Sequence, residues 1–195
     1  MLQDPLNASL AKLGREPLLT VGRPKYSLLL TPFFTRAGVN GMLNPFGLEA
    51  VINPDLLPFE RPFTVAHEWA HLAGAADEAE ASAIGWLACM NGPPELAYSA
   101  NVYLIVEAGS ALPSAAWREV RGKLDAGIRT DLEALARREN RQNPEVQRTA
   151  FRVYDEYLRA NRVDDGVGSY SRSLSLILSP PLREALSVYH VQYSR

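Results

Sequence analysis

Short apolar runs separated by turn residues fill the first part of the chain, and longer segments with helical periodicity fill the rest. Residues 26–31 form an apolar run that ends at Pro32, and residues 39–43 and 48–52 flank the turn-rich Asn44-Pro45-Phe46-Gly47. Two apolar runs around such a turn are typical of a β-hairpin. The pattern therefore predicts a sheet-rich part, residues 1–60, with a small antiparallel sheet.

Two helices are predicted directly after the sheet. Pro62 is tolerated in the first turn of a helix and Gly74 suits a helix C-terminus, so one helix is expected over 61–74. Asp77 can cap the next helix, which is expected over 78–90 and ends before an Asn-Gly-Pro-Pro segment.

The remaining part, residues 91–195, is predicted to be mostly helical. Its helical segments are 95–108, 114–141 with an interruption near Gly122 or Gly127, 144–161 and 170–178, and a polar loop covers 163–169. The chain has no internal repeat or low-complexity linker. Strands followed by helices are typical of the α+β class, and 195 residues suit one domain, 1–195.

Composition narrows the classes of partner. With 47% hydrophobic residues and a formal net charge of -2, the chain can bury a core and has no overall charge that favours nucleic acid or an anionic membrane. The basic residues of 118–148 alternate with acidic ones, which is typical of a solvated helix face. We therefore expect no nucleic-acid partner.

The same composition bears on localisation. The sequence shows no signal peptide, and its apolar runs are much shorter than the roughly 18 to 20 residues that span a bilayer. Cys89 is the only cysteine, so no intrachain disulfide can form. We expect a chain that is soluble and makes no membrane contact as given, and that is cytoplasmic, or extracytoplasmic if membrane segments precede it naturally.

The chemistry is concentrated in His67-Glu68-Trp69-Ala70-His71 on the first predicted helix. Histidines four residues apart share one helix face, so both imidazoles can bind one Zn²⁺, and Glu68 can act as general base toward a water on the metal. The alternative is a chance motif with two packed or capped histidines beside an exposed glutamate. The motif favours a zinc centre in which two histidines and one carboxylate leave a fourth position open.

The third ligand is sought among five residues: Asp77, Glu78, Glu80, Cys89 and His190. Glu78 and Glu80 lie about 200° apart around a helix, so only one of them can face the metal. The Glu78 face carries small residues, which allow a close approach of the two helices, whereas larger residues accompany Glu80. We choose Glu78, with Glu80 as the alternative, and Ser82 could hydrogen-bond a ligand histidine.

The other two candidates are less suitable. Cys89 lies about 16 Å along the helix from Glu78 at 1.5 Å per residue, and it is expected to be a small buried residue. His190, near the C-terminus, is more typical of a surface or packing histidine.

These motifs carry a resemblance to two groups of proteins. Glu78-Ala79-Glu80-Ala81-Ser82, one helix after the HExxH motif, is similar to the Glu-x-x-x-Asp/Asn arrangement of gluzincin metallopeptidases. The chain also resembles an uncharacterised bacterial family of membrane-anchored HExxH proteins. The matching segments are 53–64, 67–71, 78–82, 86–89, 157–161 and 165–172. Members of that family usually have Asn in place of Ser82 and begin with transmembrane helices. The resemblance implies a zincin-like fold and a peptidase.

A peptidase also needs a group that stabilises the oxyanion of the reaction. Tyr170 and Arg172, which follow the glycine-bearing loop, are the candidates, although a packing or surface role is common for both residue types. The hairpin over 41–53 could present an edge strand to an extended peptide, or be an ordinary protected edge. The sequence thus favours a zinc metallopeptidase acting on peptides or proteins. The alternative is a zincin-like binding or regulatory module with a structural metal and no proteolysis.

Overall fold

The structure is a computed structural model that describes residues 2–19, 22–44, 46–160, 172–180, 182 and 184, with residues 157–160 described in backbone only. Its elements, in chain order, are α1 (Gln3–Lys12), α2 (Thr31–Ala37), β1 (Gly41–Asn44), β2 (Glu49–Ile52), α3 (Arg61–Leu72), α4 (Glu78–Met90), α5 (Pro94–Ala111), α6 (Ser114–Lys123), α7 (Ala126–Glu139), α8 (Pro144–Ala160) and α9 (Ser173–Ile177). The described chain is mostly helical with one small antiparallel sheet, consistent with the α+β class.

The β-hairpin is confirmed. Strands β1 and β2 pair antiparallel, with Gly41 opposite Ile52 and Asn44 opposite Glu49. On the other side of β2, Lys25 forms an isolated parallel bridge with Val51. The apolar residues 28–30 form a turn that leads into α2, because Pro32 occupies the first turn of that helix rather than ending a strand.

The description of residues 1–60 as sheet-rich is wrong in part, since this region contains two helices besides the hairpin. In α1 the leucines recur every four residues, and Leu6 and Leu10 are fully buried against the core. That spacing is the signal of an amphipathic helix. The periodicity was present in the sequence, but Pro5 and the short length of the segment weakened it.

Helix α4 forms the centre of the fold. Every residue of α4 except Glu80 and Met90 is buried, and the helix packs against α1, α3, α5 and α9. A helix that is apolar around its whole circumference belongs in the interior. The side chain of Asp77 accepts a hydrogen bond from the backbone N–H of Glu80 and caps α4, as predicted.

The predicted helix over 114–141 is divided in two. Helix α6 ends at Lys123 and α7 begins at Ala126, because Leu124 and Asp125 adopt extended ψ angles of 150° and 152°. The break therefore lies between the two glycines named as interruption points. Helix α9 is shorter than the predicted segment 170–178, of which residues 170 and 171 lie outside the described residues. None of the described helices has the combined length and apolar character needed to cross a bilayer.

Candidate metal centre

Helices α3 and α4 bring three side chains together at one point. Nε2 of His67 lies 3.1 Å from Nε2 of His71 and 3.1 Å from Oε2 of Glu78. The third side of this triangle, from Nε2 of His71 to Oε2 of Glu78, is 3.4 Å long. Glu78 is almost wholly buried, and the two imidazoles keep 12% and 13% of their side-chain surface exposed. The group is therefore enclosed but still open to solvent on the histidine side.

A close contact between the two helices makes this triangle possible. Gly85 lies two turns after Glu78, and a Cβ atom there would be 2.9 Å from the backbone nitrogen of His67 and 3.2 Å from the carbonyl carbon of Ala66. Only glycine allows the α4 backbone to approach α3 this closely. The small-residue interface that the sequence predicted is therefore present.

The spacing of the three atoms fits a tetrahedral metal ion. Zinc binds imidazole nitrogen and carboxylate oxygen at about 2.0 to 2.2 Å, so adjacent ligand atoms of a tetrahedron are roughly 3.3 to 3.6 Å apart. The observed separations of 3.1, 3.1 and 3.4 Å are close to that edge length. The three atoms thus occupy the positions of one triangular face of such a site.

The outer ring nitrogens of the two histidines have different hydrogen-bond partners. Nδ1 of His71 lies 2.6 Å from the carbonyl oxygen of Ala75, which can only accept, so this nitrogen carries the hydrogen. Nδ1 of His67 lies 3.2 Å from the hydroxyl of Ser82. A hydroxyl can donate or accept, so only the tautomer of His71 is fixed by these contacts; in its neutral form His71 presents the lone pair of Nε2 to the Glu78 carboxylate. A lone pair that faces a buried carboxylate at 3.4 Å favours a cation between the two atoms, either a proton or a metal ion.

The electrostatics of the metal-free cluster indicate the same demand for positive charge. Burial acts to lower the pKa of His71, but its hydrogen bond and charge interaction with Glu78 raise it to about 9. Burial acts to raise the pKa of Glu78, and the two histidines together hold it well below its usual value. In the absence of metal a proton therefore supplies the charge, and a metal ion would have to displace it.

Glu68 lies beside this cluster without joining the triangle. Glu68 is 5% exposed. Burial raises the pKa of the Glu68 carboxyl, while the charges of His67 and His71 act to lower this pKa. The backbone of Gly41 in β1 runs past it, so that a Cβ atom on Gly41 would be 2.8 Å from Oε1 of Glu68. The hairpin and the α3 carboxylate are therefore in direct contact.

Among the described residues, the other predicted site residues take no part in the triangle. Glu80, the alternative third ligand, forms a salt bridge with Arg15. Arg172 pairs with Asp77 at the start of α4, with about half of its side chain exposed. Cys89 is fully buried in the core, and burial raises its pKa to about 12. Tyr170 and His190 lie outside the described residues.

Two tyrosines near the cluster were missed by sequence reasoning. The hydroxyl of Tyr154 in α8 donates to Oε1 of Glu78 at 2.5 Å, across 76 residues of sequence. The ring of Tyr103 in α5 stacks on Phe63 of α3 with ring centroids 3.9 Å apart, and its hydroxyl donates to Ser173. No local pattern distinguishes these tyrosines from others in the chain, because their contacts depend on how distant helices pack.

Comparison with known proteins yields one family. A family model described as a protein of unknown function, DUF3810, matches residues 5–178. No curated protein and no solved structure matches the chain significantly.

Proposed function

This chain belongs to the DUF3810 family of proteins of unknown function, and we propose that it is a zinc-dependent metallopeptidase of the gluzincin type with a zincin-like fold. The observation that carries the proposal is the triangle of His67, His71 and Glu78, whose atoms lie at tetrahedral spacing next to a buried glutamate. An HExxH helix followed by a carboxylate from the next helix is the arrangement that this chemistry uses.

Each of the three ligands would donate one atom, Nε2 from each histidine and Oε2 from Glu78. When bound, Zn²⁺ would act as a Lewis acid that lowers the pKa of water to about 7 and polarises a carbonyl group. Ser82 and the Ala75 carbonyl hold the outer ring nitrogens, so both imidazoles are already oriented for binding. The protein therefore supplies ligands that need little rearrangement.

Glu68 is the residue that we assign as general base. Burial raises the pKa of the Glu68 carboxyl toward neutral pH. Such a pKa suits a group that takes a proton from water and later gives it to the leaving amine. Glu68 follows His67 directly on α3, so its backbone position is fixed by the same helix that holds two of the ligands. Contact with Gly41 limits the directions in which this carboxylate can turn.

The edge of the hairpin supports a peptide as the substrate. The carbonyl of Ala50 accepts a hydrogen bond from the N–H of Lys25, and the N–H of Ile52 donates to the Lys25 carbonyl, both on the side of β2 away from β1. Leu43 lies opposite Ala50 and Gly41 lies opposite Ile52, and both are therefore non-hydrogen-bonded pairs. The backbone N–H and C=O groups of Leu43 and Gly41 point outward from β1, away from β2. In the part of the chain that the structure describes, no further strand pairs with this outer edge. An extended peptide could add to it beside Glu68.

The proposal is tested by separating metal binding from hydrolysis. We expect purified protein to hold about one zinc per chain by elemental analysis, His67→Ala to lose it, and Glu68→Gln to keep it. Cleavage of a diverse peptide library, followed by mass spectrometry, should be abolished in both variants. Glu119→Gln is the matched control, because the side chain of Glu119 in α6 is 71% exposed, and this variant should cleave normally.

Two outcomes would contradict the proposal. A wild-type chain that binds no zinc would rule out the metal centre. A chain that holds zinc but cleaves no peptide in the library would instead favour a binding or regulatory module with a structural metal.

A further inference from the structure

The two oxygens of the Glu78 carboxylate have different partners. Oε2 faces the Nε2 atoms of both histidines, whereas Oε1 accepts the hydrogen bond of Tyr154 at 2.5 Å. We propose that Tyr154 is a positioning residue that restricts Glu78 to binding the metal through one oxygen. This inference rests on the proposed metal centre, but it concerns the geometry of the ligand and does not depend on peptide cleavage.

A carboxylate without such a partner has another option. Glu78 is 1% exposed, so Oε1 cannot turn to bulk solvent for a hydrogen bond. A buried acceptor that loses its donor is costly, and the nearest remaining centre of positive charge would be the metal itself. Without the tyrosine hydroxyl, Glu78 would therefore tend to bind through both oxygens, which adds a fifth ligand atom and crowds the position that a catalytic site keeps open.

The hydroxyl is well suited to this role. A phenol that donates to an ionised carboxylate makes a short, charge-assisted hydrogen bond. Tyr154 reaches Glu78 from α8, whose N-terminal end is tied to α2 by the hydrogen bond from Asn143 N–H to the Arg36 carbonyl at 2.8 Å. The side chain is at the surface, 37% exposed. Removing only its hydroxyl should leave the core intact.

The sharpest test replaces Tyr154 by phenylalanine and observes the metal directly. Cobalt(II), loaded into the metal-free full-length chain, reports its coordination number through its visible absorption, which is intense for four ligands and weak for five or six. Tyr98→Phe is the matched control, because Tyr98 also donates to a carboxylate, that of Asp131, away from the metal centre.

We expect an intense four-coordinate spectrum from the wild type and from Tyr98→Phe, and a spectrum several-fold weaker from Tyr154→Phe, which should still bind one cobalt per chain. With zinc, Tyr154→Phe should lose kcat about tenfold or more with little change in KM. Cobalt spectra that differ in this way in a chain that cleaves no peptide would support the inference while the proposed peptidase function fails.

Three results would overturn the inference. The first is a Tyr154→Phe spectrum identical to that of the wild type. The second is loss of cobalt binding in this variant, which would mean that Tyr154 is needed to hold Glu78 at all. The third is a wild-type chain that binds no cobalt.

Discussion

Replacing Gly85 by alanine would place a methyl group where the backbone of α3 already lies. The added Cβ would be 2.9 Å from the backbone nitrogen of His67 and 3.2 Å from its Cα, whereas unstrained contacts between such atoms are about 3.5 to 4.0 Å. Neither partner is a flexible side chain, so the helices themselves must separate, by roughly 0.5 to 1 Å.

That separation would act directly on the metal centre. The distance of 3.1 Å between His67 and Glu78 spans the two helices, and an increase of roughly 0.5 to 1 Å would take it to the long end of the tetrahedral edge of about 3.3 to 3.6 Å or beyond it. We expect zinc affinity to fall about tenfold to a hundredfold, the range seen when the support of a metal ligand is removed. Overpacking costs about 1 to 3 kcal/mol, and the better helix propensity of alanine returns about 1 kcal/mol.

Zinc affinity is measured by competition with a chromophoric chelator, and stability by thermal unfolding of the metal-free protein. Gly122→Ala in α6 is the control, since a Cβ atom there meets nothing within 4 Å. It should leave zinc affinity unchanged and stabilise the fold by up to about 1 kcal/mol. Wild-type zinc affinity in Gly85→Ala would refute the reasoning, because it would show that the close helix contact does not set the ligand spacing.

Three further outcomes are expected. In Gly41→Ala the new Cβ would lie 2.8 Å from Oε1 of Glu68 and would displace this carboxylate. The kcat/KM for a cleaved peptide should fall about tenfold to a hundredfold while zinc affinity is retained, and an unchanged kcat/KM would contradict this. Because the pKa of His71 in the metal-free fold is raised to about 9, its protonated form stabilises the fold fully below about pH 6.5, and this contribution is lost as the pH rises through about 9. The melting temperature in excess chelator should therefore decrease over that range, and the added stabilisation by zinc should increase; a flat profile would count against the His71–Glu78 pair. Burial that raises the pKa of Cys89 to about 12 should keep its thiol unreactive toward a disulfide reagent at pH 8 until urea unfolds the chain, and rapid labelling of the folded protein would disprove this.

Local sequence patterns were sufficient to predict the hairpin and the two helices around the candidate metal centre. The hairpin followed from apolar runs around a turn, and α3 and α4 from Pro62, Gly74 and the Asp77 cap. These signals act within a few residues, so they predict the elements without any knowledge of the rest of the fold. The N-terminal helices were missed because prolines interrupt their patterns and because packing against α4 contributes much of what holds α1 in place.

The spacing of His67 and His71 comes from helix periodicity alone, and the small residues around Glu78 were enough to prefer it over Glu80. The distances of 3.1 to 3.4 Å, the contact of Gly41 with Glu68 and the hydrogen bond from Tyr154 belong to the tertiary structure. They join segments that lie up to 76 residues apart, and such contacts depend on how helices and strands pack in three dimensions. Periodicity orients a side chain on its own helix, but only packing determines which distant side chain it meets.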